Sequence, residues 1–153
     1  MPARRSSAAT IVLDAAPSSI LAFEDFVEVL AFLSPSEKCR ILVAGGEMFD
    51  NVVKHGAPLR DGRVAVRARR GRSGPAGRAA PIQLAFFFKA QSFAAFALEC
   101  ASGGEGIKKP LFDPAHRRWR GFGLVMCRNL ARRVVFRPGE LMDRIFLEFE
   151  PEA

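Results

Sequence analysis

The segment that most constrains this chain opens on Ser34-Pro35-Ser36-Glu37 and closes at His55-Gly56. Ser34 suits an N-cap, Pro35 suits the first helical position, and Glu37 can reach back to complete a capping box. Gly56 is a natural residue for ending a helix. Between those ends the spacing predicts one helix of about twenty residues, roughly 30 Å long. Ile41, Leu42, Met48, Phe49, Val52 and Val53 fall to one side of it, with Glu47 and Asn51 on the other. A helix of that length with one apolar side needs a broad apolar surface to lie on, and a sheet supplies one.

The strands for such a sheet are legible on either side. Ala9 to Asp14 is short and β-branched, and Arg63 to Arg69 alternates, with Val64, Val66 and Ala68 on one face and arginines on the other. Ile82 to Lys89 and Phe93 to Cys100 are apolar and aromatic, and read as two core strands joined by a tight turn. Val135, Phe136 and the alternating Leu141 to Glu150 supply one or two final strands. Ile20 to Leu33 has helical spacing, Gly121 to Val134 reads as a helix with a glycine-rich start, and residues 71–81 read as a flexible loop. The expected class is α+β: a two-layer sandwich with helices on one face of a mostly antiparallel mixed sheet.

A length of 153 residues with 49% hydrophobic composition suits a single domain over 1–153 with a real core. No stretch approaches the apolar length of a membrane span, and the start lacks a secretory core, so a cytoplasmic, unexported protein with no membrane partner is expected. Cys39, Cys100 and Cys127 form no CxxC or Cys/His cluster, and buried reduced thiols are the expected reading. The net charge of +7 comes from arginine, clustered at Arg60 to Arg78 and Arg117 to Arg133. No helix-turn-helix, zinc-finger or aromatic RNA-binding signature accompanies it, so nucleic acid is not the expected partner.

Three features carry the chemistry. Glu47, Asn51 and His55 recur every four residues, and Glu47 and Asn51 lie about 40° apart around the helix, on one side of it. Gly121-Phe122-Gly123-Leu124 opens a helix, where free N–H groups and the helix dipole favour an anion. Ser102 to Gly106 is a glycine run between the last central strand and a polar segment.

In that order the three resemble the GHKL ATPase superfamily, which is built on the Bergerat ATP-binding fold. More narrowly, Glu47 through His55 resembles the E-A-V-x-N-x-x-x-H helix of anti-sigma-factor serine/threonine kinases. Arg120 through Val134 resembles their GxGLxL helix, and Phe112-Asp113-Pro114 the start of their lid. The resemblance covers the chain from about Ile11 to Phe149. It implies ATP held between the second helix and the lid, Glu47 as the base that activates the attacking hydroxyl, and Asn51 as a ligand of nucleotide-bound Mg²⁺. By the same resemblance His55, Gly121, Gly123 and Leu124 flank the nucleotide. Arg118 and Arg120 fit phosphate contact and a solvated lid equally well. An anti-anti-sigma protein and a sigma factor are the implied partners, along with a second copy of the chain.

One element departs from the pattern. The family's D-x-G-x-G aspartate, which accepts from the adenine amino group, is missing. One register puts Ser102 there, with Gly104 and Gly106 as the glycines; another puts Glu99 there, followed by Ala101 and Gly103. Losing a charged hydrogen bond costs about 1.5–3 kcal/mol, or roughly ten- to a hundred-fold in affinity. The alternative is therefore a catalytically inactive module of the same fold that binds partner proteins.

Overall fold

The computed structural model describes residues 7–55, 62–72, 79–94, 97, 111–114, 118–120 and 122–152, with the backbone alone at 55, 111–113, 118–120 and 122–124. The strands are β1 (Ala8–Asp14), β2 (Arg63–Arg70), β3 (Ile82–Phe88), β4 (Leu111–Asp113), β5 (Arg118–Arg120), β6 (Arg133–Arg137) and β7 (Asp143–Phe149). The helices are α1 (Ile20–Glu28), α2 (Pro35–His55) and α3 (Phe122–Leu130), with a short 3-10 turn at Pro17–Ser19. Five strands form one sheet in the order β1-β2-β3-β7-β6, and every ladder in it is antiparallel. Among the described residues β4 and β5 pair only with each other. The expected α+β two-layer arrangement is present. No helix among the described residues is long and apolar enough to cross a membrane.

Strand alternation decides which face is covered. Val66 and Ala68 of β2, Phe86 and Leu84 of β3, and Ile145 and Leu147 of β7 are cross-strand partners, and Val64 pairs with Leu13 of β1; all are buried under the helices. α2 lies over them and packs against α1 on one flank and α3 on the other. Phe23 of α1 stacks on Phe49 of α2 at 6.1 Å between ring centroids and reaches Phe86 of β3 at 6.5 Å, tying three elements together. Gly45 of α2 makes the close approach possible, since a β-carbon there would sit 2.6 Å from Phe23 and 2.7 Å from Leu84.

The start of α2 forms the expected capping box. The Glu37 N–H donates to Ser34 Oγ at 3.2 Å, and the Ser34 N–H donates to Glu37 Oε2 at 2.8 Å. Glu37 is buried, and Arg70 from the end of β2 reaches its carboxylate at 2.5 Å and the Phe32 carbonyl at 2.8 Å. That ties the capped end of the helix to the sheet, a link the sequence did not suggest.

Several expectations need correction. Phe93 to Cys100 is not a strand where it is described: Phe93, Ala94 and Ala97 are helical. β3 ends at Phe88, and the Ala90 N–H turns to the buried Asp143 carboxylate at 2.9 Å, which takes the chain off the sheet. Phe93 still reaches the core, against Phe88 and Phe136. The helix read over Ile20 to Leu33 stops at Glu28. Turns closed by the Leu30 N–H to Val27 and the Leu33 N–H to Leu30 carbonyls keep both leucines buried without helix. The helix read through Val134 stops at Leu130, because the Arg132 N–H bonds the Glu148 carbonyl at 2.7 Å and starts β6. Cys127 is buried as expected, whereas Cys39 is exposed and Cys100 lies outside the described residues. Of the loop read over 71–81, residues 73–78 are outside the described set; its ends are joined by the Gly71 N–H to the Pro81 carbonyl at 2.9 Å.

Candidate functional site

α2 presents Glu47 and Asn51 from its middle, one turn apart. Cys127 of α3 donates its thiol to the Ala44 carbonyl of α2 at 3.1 Å, which marks the side of α2 that α3 covers. Asn51, seven residues beyond Ala44, returns to within about 20° of that side, and Glu47 lies about 40° farther round. Asn51 is half-buried there. α3, whose first turn carries Gly123 and Leu124, packs along α2, with Cys127 against Ala44.

Glu47 also lines a groove of about 390 Å³ between α2 and the turn leading into α1. Leu42, Phe49 and Val53 give it apolar walls, while Glu24, Glu47 and Asp50 edge it with carboxylates. Leu42 and Val53, expected on the anchoring side, are partly buried and pack against the core while also lining this groove; Ile41, Met48, Phe49 and Val52 are fully buried. Burial pushes the Glu47 carboxyl above the usual carboxylate range, and the neighbouring Asp50 charge pushes the same way, against a smaller opposing pull from Lys54. Lys54 is held by Asp50 at 2.6 Å. Glu47 is nevertheless exposed, so a partner's hydroxyl could reach its carboxyl, and a carboxyl with raised affinity for a proton is a candidate general base. Asn51 does not line the groove. Among the described residues no cluster of three His, Cys, Asp or Glu side chains could hold a metal ion.

The remaining sequence candidates fall as follows. His55 is the last residue of α2, and Arg120 is in β5, opposite Leu111 of β4. The β4–β5 hairpin occupies the polar segment read as a lid and holds Phe112 and Asp113 in its first strand. Glu99, Ser102, Gly104, Gly106 and Gly121 lie outside the described residues. Sequence reasoning missed the acidic groove altogether. Its signal was present in the i, i+3 spacing of Glu47 and Asp50, but Glu24 joins them only through packing of α1 on α2.

A two-layer α+β protein with a polar flank on its long helix, beside a glycine-started helix, is what these elements define. The crystal structure of the RsbU and RsbW domains of a Mycobacterium tuberculosis protein matches this fold with a TM-score of 0.59 at 15% sequence identity. The match covers 95% of this chain and 33% of that one, so this chain spans about a third of the neighbour's length. The likeness is one of fold. No protein-family model and no curated protein matches the sequence.

Proposed function

We propose that this chain is an ATP-binding regulator of the anti-sigma-factor kinase type, which phosphorylates a serine or threonine of an anti-anti-sigma partner. The carrying observation is the pair Glu47 and Asn51, one turn apart on α2 and flanked by α3, in a fold matched over 95% of the chain. The likeness to RsbU and RsbW domains supports a regulator of that kind. Homodimerisation and binding of a sigma factor belong to the same reading.

The residues present suit the chemistry. Magnesium nucleotide bound beside α2 supplies the phosphoryl group and neutralises its charge. Asn51 offers a neutral carboxamide oxygen, a hard donor of the kind Mg²⁺ accepts. Glu47, with its raised affinity for a proton, would take the proton from the partner's hydroxyl as that oxygen bonds to the terminal phosphorus, the bond from phosphorus to the bridging oxygen breaks and ADP leaves. The N–H groups at the start of α3 face anionic charge favourably.

The test is calorimetric titration of Mg-ATP into the wild type and Asn51→Ala, followed by phosphoryl transfer to a serine substrate with Glu47→Ala. Micromolar binding lost in Asn51→Ala, with transfer lost in Glu47→Ala, is the expected result. A second reading, the inactive partner-binding module, is favoured by the missing adenine aspartate. No binding up to millimolar ATP selects it.

A further inference from the structure

The face of the sheet away from the helices gathers the arginines that the sequence scatters. Cross-strand registers place Arg69, Gln83, Glu148 and Arg133 in one row across β2, β3, β7 and β6. The next row is Arg67, Ala85, Phe146 and Val135, and the third is Ala65, Phe87, Arg144 and Arg137. Arg63 lies farther along β2, opposite Asp14 of β1. All six arginines are exposed.

The charges on this face do not cancel. Its described acids are already engaged: Asp14 sits 4.0 Å from Arg63, while Glu148 and Glu150 sit 3.9 Å and 3.1 Å from Arg132. Among the described residues Arg67, Arg69, Arg133, Arg137 and Arg144 have no acidic partner. Arg69 donates to Gln83 at 2.9 Å, and the Arg137 guanidinium lies 5.8 Å from the centre of the Phe146 ring. Phe87 and Phe146, on the two middle strands β3 and β7, meet edge to face at 6.3 Å and are half-exposed. The face is thus an aromatic centre between two arginine-bearing flanks, with a depression of about 260 Å³ beside Phe146, Arg137 and Arg133.

We propose that this open sheet face binds single-stranded nucleic acid, with bases on the phenyl centre and phosphates on the arginine flanks. Five strands about 4.8 Å apart span roughly 19 Å, too wide for a major groove about 12 Å across, so the bases must leave the duplex to reach the rings. Unstacked bases on aromatic side chains with arginine along the backbone is a recurring chemistry of single-strand recognition. An acidic peptide would use the arginines but has no group that needs the two rings. A second copy of the same face would repel it. The proposal is independent of the α2 site, which lies on the opposite layer.

Fluorescence anisotropy with labelled oligothymidylate and oligouridylate of about 20 nucleotides tests it, on the full chain. Neutralising about five phosphates predicts a salt slope near −3.5, so affinity should fall about a hundred-fold between roughly 50 and 200 mM salt. Arg67→Glu/Arg133→Glu should weaken binding at least about ten-fold, and Arg67→Gln/Arg133→Gln in the same direction with less change to the fold. Phe87→Leu and Phe146→Leu leave the charge unchanged and should each weaken binding about five-fold or more. The helix-layer variant Lys38→Glu/Arg40→Glu makes the same charge change and should cost markedly less. Binding of either oligonucleotide with this pattern supports the proposal, and their affinity ratio identifies DNA or RNA. Three results overturn it: no saturable binding at the lower salt, equal loss in the helix-layer variant, or wild-type binding by both leucine variants. Displacement by poly-glutamate together with the last of these would assign the face to acidic proteins.

Discussion

Two carboxylates on α2 answer to opposite forces. Burial alone would raise the Glu37 pKa, but hydrogen bonds from Arg70 and from the Ser34 and Glu152 backbone, with the Arg70 charge, hold it below the usual range. Its folded pKa is depressed, so its contribution to stability is present above the unfolded carboxylate pKa and is lost as pH falls through the folded one. Glu37→Gln should therefore flatten the acid limb of a stability–pH curve measured by chemical denaturation. Arg70→Ala strands the buried carboxylate; with Arg70 itself 24% exposed, about 2–3 kcal/mol is expected at neutral pH. Glu47 shifts the other way. Its ionised form is penalised in the folded state, a penalty that sets in as pH rises through the unfolded pKa. Glu47→Gln should consequently raise the denaturant midpoint slightly at pH 7, by little because Glu47 is exposed and solvent screens its charge. A group that costs stability where it stands is what a functional site tends to contain.

At the scale of elements, α2 shows how much the chain discloses in advance. Its limits, its cap and most of its buried side followed from Ser34, Glu37 and the apolar spacing, because those signals are local. What adjacent glycines are for did not follow. Gly45 faces Phe23 and Leu84 within 2.7 Å of where a β-carbon would lie, whereas at Gly46 the nearest atom, in Ile20, is 3.7 Å away. Gly46→Ala should stabilise the helix by about 0.5–1 kcal/mol. Gly45→Ala, one residue earlier, should destabilise by about 1–2 kcal/mol through overpacking, and thermal melts of the pair would show opposite signs. Phe93 to Cys100 misled for the complementary reason. An apolar aromatic run suits a buried strand or a buried helix equally, and only the Ala90 bond to Asp143, some fifty residues away, decides between them. The glycine run and Gly121 belong to the same candidate site in sequence, but they lie outside the residues the structure describes, so α2 and α3 alone carry its geometry.

The whole molecule is organised around β3, which pairs with β2 on one side and β7 on the other. Amide exchange should be slowest in β3 and β7 and faster in α1 and the two-stranded β4–β5 ladder, an order that mass-spectrometric exchange would resolve. The layering was readable because strand alternation and helix periodicity agree. The common face of Arg67 and Arg133 was not, because it depends on register between strands far apart in sequence. Each arginine cluster read alone is an ordinary charged surface, and only the sheet order makes them one. That order also carries a consequence for synthesis. Phe86 pairs with Ile145, and at typical translation rates the roughly sixty residues between them take about 3–12 s to emerge. Throughout that interval the edge of β3 that β7 later covers has no neighbour, and its backbone N–H and C=O groups are open to wrong pairing until β7 arrives.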